Sequence, residues 1–176
     1  MLLKHFRLRV SPIGWAFDNL EETLEAAKRS AEVSHNSEQG ITAAQAVSAA
    51  IFLARHHASK AEIKSYIVHN FHYDLGHSIE EIRPKYSFDC SCEGSVPEAI
   101  IAFLGGDDFE STIRLVVSLG GDSDTQACIA GGIAEAYYGQ IPREITANAI
   151  HKLPSQFREV LFEFAMETEY HLPKFE

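Results

Sequence analysis

The sequence is short of cysteine, tryptophan and positive charge, and each shortage closes off a class of protein. Its 176 residues include three cysteines, Cys90, Cys92 and Cys128. An odd, sparse set offers no disulfide framework and fits thiols kept reduced in a cytoplasm. Lys and Arg total 15 against 25 Asp and Glu, a formal net charge of −10. That deficit argues against the basic footprint that nucleic acid or an anionic membrane surface demands. No apolar run reaches the roughly 20 residues of a membrane span. The stretch from Met1 to Val10 has no long apolar segment of the kind a secretory signal carries. There is no P-loop, dinucleotide fingerprint or Ser-His-Asp signature. What the chain does have is 45% hydrophobic residues. At this length that suffices for one domain over 1–176 that buries roughly two-thirds of its unfolded surface.

The local pattern is helical throughout. Asn19-x-x-Glu22, Ser59-x-x-Glu62, Ser78-x-x-Glu81 and Ser95-x-x-Glu98 have the spacing of capping boxes. They predict helices running to about Val33, to near His69, to Pro84 and through Leu104. Pro97 falls in the first turn, where its missing N–H does no harm. Ala44, Val47, Ile51 and Ala54 recur at helical spacing and predict a helix from Thr42 to about His56. Phe109 to Leu119 reads as helix, although Val116-Val117 is equally compatible with a short strand. A long helix should follow Gly120-Gly121 and stop at Gly139. Pro142 opens the next helix and Pro154 closes it. Ser155 caps the last, with Phe157, Val160, Leu161, Phe164 and Ala165 on one face. The fold class is all-α.

The segment richest in chemistry is Gly120-Gly-Asp122-Ser-Asp124-Thr125. Two carboxylates and a hydroxyl lie within four residues at a helix start, all offering the oxygen that hard cations such as Mg²⁺ select. The glycines let the backbone turn tightly. Two compatible readings stand: Asp122 or Asp124 caps the helix, or the three side chains are metal ligands. Gly131-Gly132 in the following helix predicts close approach of another backbone. His69-x-x-His72 with His77, and Cys90-x-Cys92, read as surface and structural residues. His35 by itself reads as a polar loop residue, and Trp15 as a core or rim aromatic.

Four segments, taken in order, resemble the ADP-ribosylglycohydrolase family, which includes the dinitrogenase reductase-activating glycohydrolases. Gly120 to Gly139 resembles its C-terminal signature, and Ser95 to Leu104 the helix upstream of it. Val33-Ser-His-Asn-Ser-Glu-Gln-Gly-Ile41 resembles its His-containing segment, and Arg9-Val-Ser-Pro-Ile-Gly-Trp15 the end of its glycine-rich loop. The resemblance implies an all-helical fold with a binuclear Mg²⁺ site that holds the ribose of ADP-ribose. It implies that Asp122, Asp124 and Thr125 are metal ligands and that His35 lines the ADP-ribose cleft. The implied reaction is hydrolysis of the bond from ribose C1″ to an acceptor. The family also carries an N-terminal half with a further acidic segment and a Thr-Asp-Asp motif. This chain has neither; its one Asp-Asp pair is Asp107-Asp108. The expectation is therefore the C-terminal half of such an enzyme, with an incomplete metal site and doubtful activity alone. A non-catalytic helical module is the alternative. Either way, apolar faces around the Gly131-Gly132 helix should be uncovered and find a homodimer partner or a complementing half.

Overall fold

A computed structural model describes residues 9–87, 91–92 and 94–168. Ten helices and no strand are found among the described residues, in agreement with the all-α expectation. In chain order they are α1 (Ile13–Ala16), α2 (Leu20–His35), α3 (Glu38–Arg55), α4 (Lys60–Phe71) and α5 (Ile79–Ile82). They continue as α6 (Val96–Gly105), α7 (Phe109–Val117), α8 (Ser123–Tyr138), α9 (Arg143–Lys152) and α10 (Ser155–Glu167). The stretch before Arg9, and Cys90, lie outside the described residues.

Helix α3 is the axis of the fold. Seven of its residues are alanine or glycine that lie buried, among them Gly40, Ala43, Ala46 and Ala50. Alanine is the best helix former, and its small side chain lets neighbours come close on every side. Helices α1, α2, α4 and α8 all pack on it. Gly14 of α1 sits so near α3 that a Cβ there would lie 2.5 Å from Ile51 Cγ2. Arg55, at the end of α3, donates to the Trp15 carbonyl and sits 6.0 Å from the Trp15 ring centroid. Ser48 Oγ donates to the Val10 carbonyl at 3.2 Å. The segment from Arg9 to Trp15 is thus pinned along α3.

Helix α8 is the second core helix. A Cβ on Gly131 would meet Ile113 and Phe109 of α7, and one on Gly132 would meet Ser11 and Ile51. The glycines therefore serve close packing, and the face expected to be uncovered is covered. The exposed apolar surface lies elsewhere. No residue of α10 is buried, and Phe157, Val160, Phe162 and Met166 are each at least half exposed.

Several contacts tie these helices together. Gly132 in the later part of α8 meets Ile51 near the end of α3. Lys60, just beyond α3, lies 5.8 and 5.5 Å from the ring centroids of Tyr137 and Tyr138 at the end of α8. Its ammonium also donates to the Leu104 carbonyl at 3.2 Å and to the Gly106 carbonyl, closing the C-terminus of α6. Lys60 thus draws the ends of α6 and α8 together beside the start of α4.

The local predictions meet mixed outcomes. Capping boxes at Ser59/Glu62 and Ser78/Glu81 are present, and Asn19 accepts from the Glu22 N–H. Ser95 stands at the N-cap of α6 without capping it; its hydroxyl donates to the Ser91 carbonyl instead. Ser155 is the first helical residue and Pro154 the cap position, so Ser155 caps nothing. Helix α3 starts earlier than expected, at Glu38, because the Ser37 side chain accepts from the Gly40 N–H. Val116-Val117 is helical. An unforeseen box joins Asp108 and Ser111; the Ser111 N–H and hydroxyl hold the Asp108 carboxyl below its usual range.

Candidate functional site

Gly120 and Gly121 both have positive φ, 75° and 76°, a region costly for any residue with a Cβ. This left-handed pair turns the chain from α7 into α8 and sets Asp122 at the N-cap position. Asp122 makes no side-chain capping hydrogen bond there. Asp124 instead accepts from the Thr125 N–H through Oδ1 at 2.9 Å. The capping reading of Asp122 therefore fails on geometry.

Asp122 is 4% exposed and Thr125 2% exposed, whereas Asp124 is exposed. A carboxylate taken out of water at such a point costs free energy unless a cation or donors compensate it. The donor set is oxygen in kind, as a hard cation requires, and comes from a single helical turn. It is small in number: among the described residues no group of three or more His, Cys, Asp or Glu is gathered for a metal. The turn thus offers oxygen donors of the kind Mg²⁺ selects, in a number short of a full shell. One turn on, the Cys128 thiol is pushed above its usual range, by desolvation first and then by the Asp124 carboxylate.

Sequence reasoning missed the residues that brace this turn. Gln126 is fully buried and donates through Nε2 to the Tyr86 hydroxyl at 2.6 Å. Tyr86 donates in turn to the Gly94 carbonyl at 3.1 Å, just before α6. Three chain segments meet through this pair, and the only signal in sequence is a glutamine inside an alanine- and glycine-rich helix.

His35 is the last residue of α2, two residues later than that helix was expected to end. Its carbonyl lies 2.8 Å from where a Gly40 Cβ would stand, in the first turn of α3. It therefore sits beside the start of α3. Its Nδ1 lies 2.8 Å from Ser34 Oγ. His72 ends α4 in the left-handed conformation, and His77 pairs with Asp74 at 3.4 Å and Glu81 at 4.0 Å. Cys92 is partly buried. No described helix is long and apolar enough to cross a membrane.

Comparison with known proteins adds three findings. ADP-ribosylhydrolase ARH3 of Danio rerio is 40% identical over 75 residues, which cover 35% of this chain and 20% of that protein. A solved structure described as an ADP-ribosylglycohydrolase-related protein complex superposes with a TM-score of 0.70 at 24% identity. That match covers 83% of this chain and 54% of the other, and at this identity it speaks for the fold alone. The chain spans about a fifth of the curated relative and about half of the solved one. The family profile described as ADP-ribosylglycohydrolase matches residues 6–172. With that match running over nearly all of its length, the chain belongs to the ADP-ribosylglycohydrolase family.

Proposed function

We propose that this chain takes part in Mg²⁺-dependent hydrolysis of the ribose C1″ bond of ADP-ribosylated protein or small molecules. The observation that carries the reading is the first turn of α8: buried Asp122 and Thr125 beside exposed Asp124. Asp122, Asp124 and Thr125 would hold the cation, and His35 would line the cleft for the ADP-ribosyl group. When bound, Mg²⁺ supplies Lewis acidity toward ribose hydroxyls and a placed water. The chain contributes the rest. The glycine pair fixes the turn, and the Gln126–Tyr86 bond holds it against α6. The two carboxylates attract the cation, and the Thr125 hydroxyl adds a neutral oxygen.

These 176 residues alone offer one acidic motif of the several the family uses. They are therefore expected to turn over slowly, at least about 10²-fold below a full-length relative. Release of ADP-ribose from a modified protein, followed with and without a chelator, is the test. A low rate that rises with added Mg²⁺ supports the reading. A rate near that of a full-length relative, or one indifferent to chelation, contradicts it.

A partner belongs to the same proposal, in the form of a second copy or a complementing half over the exposed apolar residues of α10. Phe157, Val160, Phe162 and Met166 together leave a few hundred Å² of apolar surface in water, at roughly 25 cal/mol per Å². Light scattering at micromolar concentration should give a mass above 19.6 kDa. A well-behaved monomer that binds no apolar dye would show these residues need no cover.

A further inference from the structure

We propose that the cavity bounded by α4, α5, α6 and α7 binds a small monocarboxylate with an apolar tail, its carboxylate paired with Lys64. The cavity stands apart from the first turn of α8. It adjoins the end of α6, through Ile101, Leu104 and Gly105. The Gly94 carbonyl, to which the Gln126–Tyr86 pair is bonded, lies just before the start of that helix. The ten residues of α6 put about 15 Å between the two.

The cavity measures about 380 Å³, within the range of small-ligand sites. Its floor is apolar: Leu75, Ile79 and Ile101 are buried, and Leu104 and Leu115 lie half-buried beside them. Such a floor favours an alkyl or aryl body over a sugar or a nucleotide, whose hydroxyls and ring nitrogens it would leave unpaired. Positive charge comes from α4, which lines the cavity with Lys60 and Lys64, one helical turn apart.

The two lysines are not equivalent. Lys60 is already engaged: its ammonium donates to the Leu104 and Gly106 carbonyls and lies 5.3 Å from the Phe103 ring centroid. Lys64 is half-buried and, among the described residues, has neither an ion pair nor a hydrogen bond. Acids outnumber bases 25 to 15 in this chain, so a lysine without a carboxylate is not for want of them. An ammonium partly withdrawn from water beside an apolar floor gains most from an anion that brings its own apolar body. One available ammonium matches one negative charge. A second would be opposed by Glu80, which lines the same cavity, and by the carbonyls that end α6. His77, also at the cavity, is already paired with Asp74 and Glu81. The fit is therefore to a carboxylate rather than a phosphate dianion.

Proton–nitrogen NMR of the full chain, titrated with sodium octanoate, tests the assignment. Octanoate should shift the amide signals of Lys64, Ile79, Ile101 and Leu115 and saturate with a Kd of about 1 mM or tighter. Octanol, with the same tail and no charge, should bind at least about 5-fold more weakly. Lys64→Gln keeps most of the stem and removes the charge, and should weaken octanoate about 5- to 10-fold. Glu80→Gln removes the opposing charge and should tighten it about 2- to 3-fold. Neither substitution touches the buried floor, so melting temperatures should stay within about 2 °C of wild type. Ala61 lines the cavity from an exposed position, so Ala61→Phe should fill the mouth and abolish the shifts. An absence of shifts at these amides, or shifts confined to the exposed apolar residues of α10, would overturn the proposal. So would octanol binding as tightly as octanoate with Lys64→Gln unaffected, which would make the cavity a site for neutral molecules. Tighter binding by Lys64→Gln would overturn it as well.

Discussion

Gly14→Ala is expected to destabilise the fold by about 3 kcal/mol, and so to lower the melting temperature by about 6–12 °C. The added methyl would lie 2.5 Å from Ile51 Cγ2, 2.6 Å from Ile51 Cβ and 3.0 Å from the Ser48 carbonyl. None of these atoms can step aside cheaply. Ile51 is fully buried and β-branched, so its χ1 is restricted, and the Ser48 carbonyl belongs to the helical backbone of α3. The strain would push α1 away from α3 and loosen the Arg9 to Trp15 segment. Gly139→Ala makes a useful contrast. Nothing lies within 4 Å of a Cβ there, and the penalty arises from its φ of +66° alone, at about 1–2 kcal/mol. Calorimetric melting of the two variants separates the effects. Equal losses, or a Gly14→Ala protein as stable as wild type, would mean that α1 does not hold the position described.

How much of this was legible in sequence depends on how local each cause is. The Ser59/Glu62 and Ser78/Glu81 boxes form between side chains three residues apart, and their letters announce them. The acid turn was legible for a similar reason. Gly120-Gly121 signals a left-handed turn, and three oxygen-bearing residues follow at once. The Ser37 cap was missed because its third helical position is Gly40, which completes no box. The Asp108 box was missed because serine stands where glutamate or glutamine is the usual partner. Ser95 has the right letters and fails, since the Ser91 carbonyl captures its hydroxyl. The Gln126–Tyr86 bond, the Arg9–Ser34 bond and the Gly14–Ile51 contact span 40, 25 and 37 residues. No window of local pattern reaches so far. The glycine pair in α8 announced close packing correctly, but not that α7 and the Ser11 segment would supply it. The exposed apolar residues sit on α10, where Phe157 and Val160 lie on the side its spacing marks and Phe162 and Met166 on the opposite side.

Asp122→Asn is the second large effect, and it falls on binding. Asparagine keeps the volume of the buried side chain and removes its negative charge, so the turn keeps its shape while its main electrostatic attraction for a cation is lost. Affinity for Mg²⁺ should fall at least about 10- to 100-fold, because a neutral amide oxygen replaces a charged one in a shell that already has few ligands. Far-ultraviolet circular dichroism should be unchanged. Asp124→Asn should also weaken the cation, by a smaller factor, since Asp124 is exposed and its charge is screened by water. It should also make Cys128 easier to alkylate, because the neighbouring carboxylate that raises the thiol's pKa is gone.

The most direct measurement is calorimetric titration of the full chain with ADP-ribose, in the presence and absence of Mg²⁺, for the wild type and Asp122→Asn. The account predicts binding by the wild type that strengthens with Mg²⁺, and binding by the variant that is weak and indifferent to the cation. Equal, Mg²⁺-independent affinity in both proteins would contradict the assignment of the first turn of α8 as the cation site.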